Sequence, residues 1–181
     1  MKSITISFLT VLLTILFINT VEAQERQTDR PMVSPNAAVE QTIGLTEVAI
    51  TYGRPSVNDR VIFGDLVPFG NPWRTGANES TVVTFSDDVL VEGESVEEGT
   101  YSLYSIPEED GRWTIIINDK LSWGTEYDEN EDVLRVEVDA EEAHFVEQMM
   151  IYFEDISEDQ GTLVIHWADT KAPVTIEPVT D

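Results

Sequence analysis

Between residues 36 and 178 apolar and polar positions alternate with a period of two rather than 3.6, which places successive side chains on opposite faces of a strand. The segments that carry it are 38–43, 46–53, 81–86, 88–92, 100–106, 112–118, 132–138, 146–153, 162–168 and 173–177. Tight reversals fall between them at Ile43-Gly44-Leu45, Glu92-Gly93-Glu94, Glu109-Asp110-Gly111 and Asp159-Gln160-Gly161, where Gly and Asp supply the backbone conformations short turns need. Val89-Leu90-Val91, Trp113-Thr114-Ile115-Ile116-Ile117 and Leu163-Val164-Ile165 are rich in β-branched residues, and runs apolar on both faces belong to central strands or sandwich cores. No window carries an amphipathic helix capped at both ends, and 140–146 is expected to make one helical turn at most. The fold expected is all-β, an antiparallel β-sandwich of jelly-roll or immunoglobulin-like type with about ten short strands.

One stretch breaks the alternation. Residues 54–80 contain three Pro and three Gly and no clear strand. Unstructured segments of this length are uncommon inside domains and are either functional or disordered. Val61, Ile62, Phe63, Leu66, Val67, Phe69 and Trp73 are too apolar to stay in water, so the loop is expected to pack over one face or an open end of the sandwich.

The ends read differently. Met1 and Lys2 precede a strongly apolar run over 4–21, and Val21-Glu22-Ala23 sets small residues where a secretory signal peptide is cut, so cleavage after Ala23 is expected. The alternative is an uncleaved anchor, since the run is just long enough to span a bilayer; its several Thr and Ser residues and the cleavage-like site favour export. The cleaved product is then periplasmic or secreted, without stable membrane insertion. Residues 24–35 are polar, hold Pro31 and Pro35, and read as a flexible leader to one domain at 36–178.

Composition narrows the partners. The chain has 181 residues and a net charge of −25, which argues against nucleic acid, because phosphate binding needs a basic face. Cysteine is absent, so disulfides and thiolate metal sites are excluded. The charge is uneven: residues 24–86 hold 7 acidic and 5 basic side chains, and residues 87–181 hold 27 and 4. Arg26, Arg30, Arg54, Arg60 and Arg74 all lie in the near-neutral part, and the last three are in the long loop. The acidic part reads as a solvated surface. A calcium loop at Asp128, Asn130 and Asp132 is the sharper reading, but Val133 stands where an EF-hand needs Gly, and no helices flank it.

The candidate ligand-binding residues are Arg54, Arg60, Trp73, Arg74, Thr75, Asn78 and Glu79. Arginine offers a planar fork for carboxylate, phosphate or sugar hydroxyls, and Trp73 beside Arg74 suits a sugar ring or supports the guanidinium. The competing reading is structural: an Arg/Glu pair under the loop that pins it in place. Catalytic templates are weak. His144 and His166 are the only histidines, without a zinc-ligand spacing, and neither a Gly-x-Ser-x-Gly elbow nor a phosphate-binding loop occurs. His166 reads as a core or surface histidine, while Tyr101, Tyr104, Trp113 and Trp167 read as core aromatics. With so many acids a glycosidase pair has no specificity as a signal, and Glu79 is the one carboxylate singled out as a general base. No catalytic residue, metal site or cofactor is assigned; a small polar or carbohydrate ligand is the expected partner, with a hydrolase using Glu79 with Arg54 and Arg74, or a structural, partner-binding envelope module, as alternatives.

A set of motifs carries a resemblance. Ser34-Pro35, Gln41-Thr42-Ile43-Gly44, Tyr52-Gly53-Arg54-Pro55, Arg60-Val61-Ile62-Phe63-Gly64, Leu66-Val67-Pro68-Phe69-Gly70, Trp73-Arg74-Thr75-Gly76-Ala77-Asn78-Glu79, Gly99-Thr100-Tyr101-Ser102-Leu103, Ile106-Pro107, Trp113-Thr114 and Asp132-Val133-Leu134-Arg135-Val136 resemble the DUF2911 family of exported proteins, best known from Bacteroidetes. The similarity spans roughly residues 34–177, and its most specific string falls in the long loop. The resemblance implies export and a shared fold; the family has no established activity, so it carries over no catalytic residue.

Overall fold

Short turns join the β-branched and aromatic runs into ten strands, all paired antiparallel, in the computed structural model, which describes residues 26–179. The apolar 4–21 run and the expected cleavage point after Ala23 lie outside the described residues. The strands are β1 (Asn36–Ile43), β2 (Thr46–Gly53), β3 (Thr81–Phe85), β4 (Val89–Val91), β5 (Glu94–Val96), β6 (Gly99–Pro107), β7 (Arg112–Asn118), β8 (Asp132–Asp139), β9 (Glu141–Glu154) and β10 (Gly161–Pro178). One sheet has six strands in the order β1-β2-β3-β6-β7-β8, and the other has four in the order β5-β4-β10-β9. Their inner faces share one core: Val48 and Ile50 of β2, Leu103 of β6 and Ile115 and Ile117 of β7 belong to the same buried cluster as Met149 and Ile151 of β9 and Leu163, Ile165 and Trp167 of β10. This is the all-β sandwich that the period-two pattern implies.

The strands apolar on both faces have a second apolar layer to cover. On β7, Ile115 and Ile117 face the main core, while Ile116 belongs with Tyr104 and Ile106 to a small cluster against Tyr127. Three elements depart from the sequence pattern. β5, with two of its three residues exposed, has too little apolar content to announce itself. The segments 162–168 and 173–177 are one 18-residue strand, β10, interrupted by Ala168 at φ +53 with register shifts on either side. Residues 141–146 are strand, not a helical turn: Glu141 and Glu142 lie opposite Lys171 and Thr170 in the β9/β10 ladder, and Lys171 Nζ reaches Glu141 Oε2 at 3.2 Å. Cross-strand pairing overrides local propensity there.

The long loop packs as expected, and it does so by joining both sheets. At its start it lies along the free edge of β9, where Val57 N donates to Glu147 O at 2.8 Å and Met149 N to Pro55 O at 3.0 Å. At its far end it runs beside β6 in the lane β3 leaves free, with Trp73 and Ser105 exchanging two backbone hydrogen bonds of 2.8 Å and Gly70 N donating to Pro107 O at 2.9 Å. Between these seams Val57, Ile62 and Val67 are buried, and Phe63 and Trp73 enter the core beside Trp113 of β7 and Trp167 of β10. Phe63 meets Trp113 edge-on with centroids 4.9 Å apart, and Trp73 stacks on Trp167 at 5.8 Å. Truncation of the β7 indole removes a contact to both loop rings, so Trp113→Ala is expected to lower stability by about 3–5 kcal/mol in a denaturant melt.

Candidate functional site

Backbone hydrogen bonds hold Trp73 in extended register against β6, and that register decides where its neighbours go, because consecutive side chains of an extended chain point to opposite faces. Trp73 turns inward to the aromatic cluster, and its Nε1 donates to Gly76 O at 3.1 Å. Arg74 turns the other way: its Cδ and Nε lie against Gly124, where no Cβ would fit, and its charge acts on the Tyr104 hydroxyl. The two residues therefore do not form one stacking platform. Thr75 is inward again, fully buried, with Oγ1 2.9 Å from Ser105 Oγ. After Thr75 the chain crosses the end of β2 so closely that a Cβ on Gly76 would come within 3.0 Å of Gly53 O. Asn78 then takes φ +68, and its Nδ2 donates to Ser34 O at 3.0 Å.

Glu79 is only 3% exposed and meets a partner that the sequence motif does not contain. Arg26, from the segment expected to be a flexible leader, brings Nη1 to 3.5 Å from Glu79 Oε2, and its Nη2 donates to Thr51 O at 2.7 Å and Ser80 O at 2.6 Å. Gln27 N adds a hydrogen bond of 3.2 Å to Glu79 Oε1. Burial lowers the Arg26 pKa from the usual guanidinium value, and the Glu79 carboxylate opposes that shift. The sequence signal for this pair was only the excess of arginine in the near-neutral part; nothing local distinguishes Arg26 from Arg30.

The other arginines differ in how they are held. Arg54 Nε donates to Met149 O at 2.8 Å, fastening the loop to β9. Arg60 folds back on its own turn, with Nε donating to Val57 O at 2.9 Å and Nη2 to Ser56 O at 2.6 Å. Arg74 is half-buried and its side chain has no hydrogen-bond or ion-pair partner among the described residues; its Nε is shut off from solvent as well. Burial pushes its pKa down, and Tyr104 acts in the opposite direction. Of the seven residues expected at a site, Arg54, Arg60, Thr75, Asn78 and Glu79 use side-chain atoms to fix the loop, Trp73 builds the core, and Arg74 alone is unpaired.

Two clefts open on either side of the aromatic cluster. One, of about 290 Å³, lies between the loop, Val33-Ser34 and β10; Arg60, Leu66, Trp73, Arg74 and Trp167 line it, together with Ser, Asn and small residues, and no carboxylate does. The other, of about 310 Å³, has Phe63, Phe69 and Trp113 for its apolar wall and Glu108, Glu109, Glu141, Glu142 and Asp169 around it. Arg60, Trp73 and Arg74 thus all border the first cleft, Arg74 with its side chain carried away towards Gly124 and Tyr104, whereas Arg54, Thr75, Asn78 and Glu79 are not among its lining residues.

A profile for proteins of unknown function, DUF2911, matches residues 34–176. The chain belongs to the DUF2911 family. Neither the curated proteins nor the solved structures gave a match. The span matched by DUF2911 includes both clefts' loop residues and begins at Ser34, whose carbonyl receives Asn78; Arg26 lies before it.

The remaining polar groups singled out in this DUF2911 chain serve local structure. Asp128 Oδ1 accepts from Asn130 N at 3.1 Å and caps a short 3-10 turn, while Asp132 accepts from Asn118 Nδ2 at 2.7 Å, Tyr127 Oη at 2.6 Å and Arg135 Nε at 2.6 Å. His166 is fully buried with Nε2 2.9 Å from His144 O, and burial lowers its pKa, so it is a core histidine. Burial and the bond to Asp132 push the Tyr127 hydroxyl up to about 12. Its protonated form is therefore favoured by the fold: that stabilisation is complete below about pH 10 and is lost as pH rises towards 12. Tyr127→Phe is expected to flatten this part of an alkaline stability profile. Removing Glu79 strands Arg26 in a buried setting, so Glu79→Ala is expected to cost about 3–5 kcal/mol, and a double-mutant cycle with Arg26→Ala should show strong coupling.

Proposed function

We propose that this DUF2911 domain is an exported, non-enzymatic binding module that holds a small polar or carbohydrate ligand in the cleft beside the 54–80 loop. The observation that carries this reading is Arg74. A desolvated guanidinium normally has a counter-charge or acceptors, since an unpaired buried charge is costly. Here the other residues of the same motif are fastened to the fold, and Arg74, whose side chain has no hydrogen-bond or ion-pair partner among the described residues, is one of the residues bordering a cleft in a chain that carries 35 carboxylate side chains. A cost maintained beside an open cleft fits a group that is completed by a ligand.

Hydrolysis by Glu79 has no geometric support, because its carboxylate is buried and engaged by Arg26 and Gln27 rather than open to a substrate. The structural reading draws on the many loop-fixing bonds of Arg54, Arg60, Thr75 and Asn78, and it differs from the binding reading only at Arg74. The purified domain, screened over an array of glycans and small organic anions, is expected to retain at least one class. Arg74→Ala should lose that signal with an unchanged thermal midpoint. A blank array for the wild type, or loss of folding in Arg74→Ala, favours the structural module instead.

A further inference from the structure

His166 sits where the β9/β10 ladder breaks. It pairs with Met150, and pairing resumes at Ala168 opposite Val146, so that Trp167 alone on β10 stands against residues 147–149 of β9. The extra residues bulge β9 outward at the point where the loop is attached, since Val57 N donates to Glu147 O and Met149 N to Pro55 O. The His166 ring spans this bulge, with Nε2 2.9 Å from His144 O. A carbonyl oxygen only accepts, so Nε2 carries the proton and Nδ1 is bare. Nδ1 is buried and meets no partner among the described residues.

The closed junction therefore accommodates a neutral ring. A second proton would go to Nδ1, leaving a positive charge and an N–H without an acceptor in a fully buried side chain. His144 lies edge-on to the ring at 4.9 Å, and Tyr152 is 6.2 Å away. The charge is opposed by His144 of β9 and Lys171 of β10, and favoured by Glu154 of β9 and the bond to His144 O. Burial is the largest influence and holds the pKa below 6.5. We propose that this junction is an acid-sensitive latch on the 54–80 loop: a second proton on His166 drives the ring towards water, the bulge opens, and the seam between the loop and β9 loosens. The fold favours the neutral ring, so its contribution is complete above about pH 6.5 and is lost as pH falls below that value. One proton limits the gain in opening to about tenfold per pH unit.

The test begins with a proton NMR titration of the wild-type protein. His144 and His166 are the only histidines, and His144→Gln assigns the two imidazole signals. His166 is expected to titrate below pH 6.5; a midpoint at or above that value overturns the latch. Amide hydrogen exchange, corrected for the intrinsic rate, is then followed from about pH 7.5 to about pH 5.5, above the ordinary carboxylate range. Peptides covering 54–58 and 141–150 are expected to gain exchange as pH falls, while β2 and β7 stay protected. Exchange that is unchanged in those peptides, or that rises equally in β2 and β7, overturns the proposal. His166→Gln keeps a donor for His144 O but takes up no proton, and it should abolish the pH dependence; a dependence equal to that of the wild type overturns the assignment to His166. The wild-type titration and exchange decide the matter whether or not the variant folds.

Discussion

Phe63, Trp73, Trp113 and Trp167 meet where the two sheets and the loop come together, and no two of them are supplied by the same strand. A 27-residue connection with several prolines and glycines has a large conformational entropy to lose on ordering. Burying two large rings against two indoles, with backbone seams to β9 and β6 on either side, offsets that loss. The cleft beside the cluster exists only because the loop is held there: Trp73 and Trp167, which stack on each other, also form part of its wall. Core and candidate site are therefore the same side chains seen from two directions.

The polar contacts around the cluster set the loop's exact course. Arg54 reaches β9, Thr75 reaches β6, and Asn78 reaches back to Ser34, so the loop is tied to three separate parts of the chain. Arg26 does the same from outside, bonding to β2 through Thr51 and to the motif through Glu79 and Ser80. Most of these acceptors are backbone carbonyls, which any sequence possesses. Such bonds order the loop without leaving a recognisable pairing of residue types.

That is also why the sequence was informative about the sandwich and less so about the site. Alternation in β2 and β7 marks inside and outside directly, because burial there follows a period of two. The apolar residues of 54–80 likewise announced a packed loop. Clustering of Arg54, Arg60, Trp73, Arg74, Thr75, Asn78 and Glu79 in sequence did not mean convergence in space. Extended geometry sends Trp73 and Arg74 to opposite faces, and a carbonyl acceptor such as Met149 O has no signature at all. Arg26 was hidden for a related reason: its contacts depend on a segment folding back over 53 residues, which no local pattern encodes. At 141–146 local composition was misleading, because the ladder with β10 overrules it.

The seam between the loop and β9 has a consequence for self-association. β9 is 14 residues long and forms the margin of the four-stranded sheet, a length of unpaired backbone on which another chain could add a strand. Pro55 and Val57 occupy that margin at Glu147 and Met149, near its middle, and Pro55 has no N–H to extend the pairing. The margin is thus interrupted near its middle and split into two shorter stretches. The loop that shapes the cleft also occupies the middle of this sheet margin.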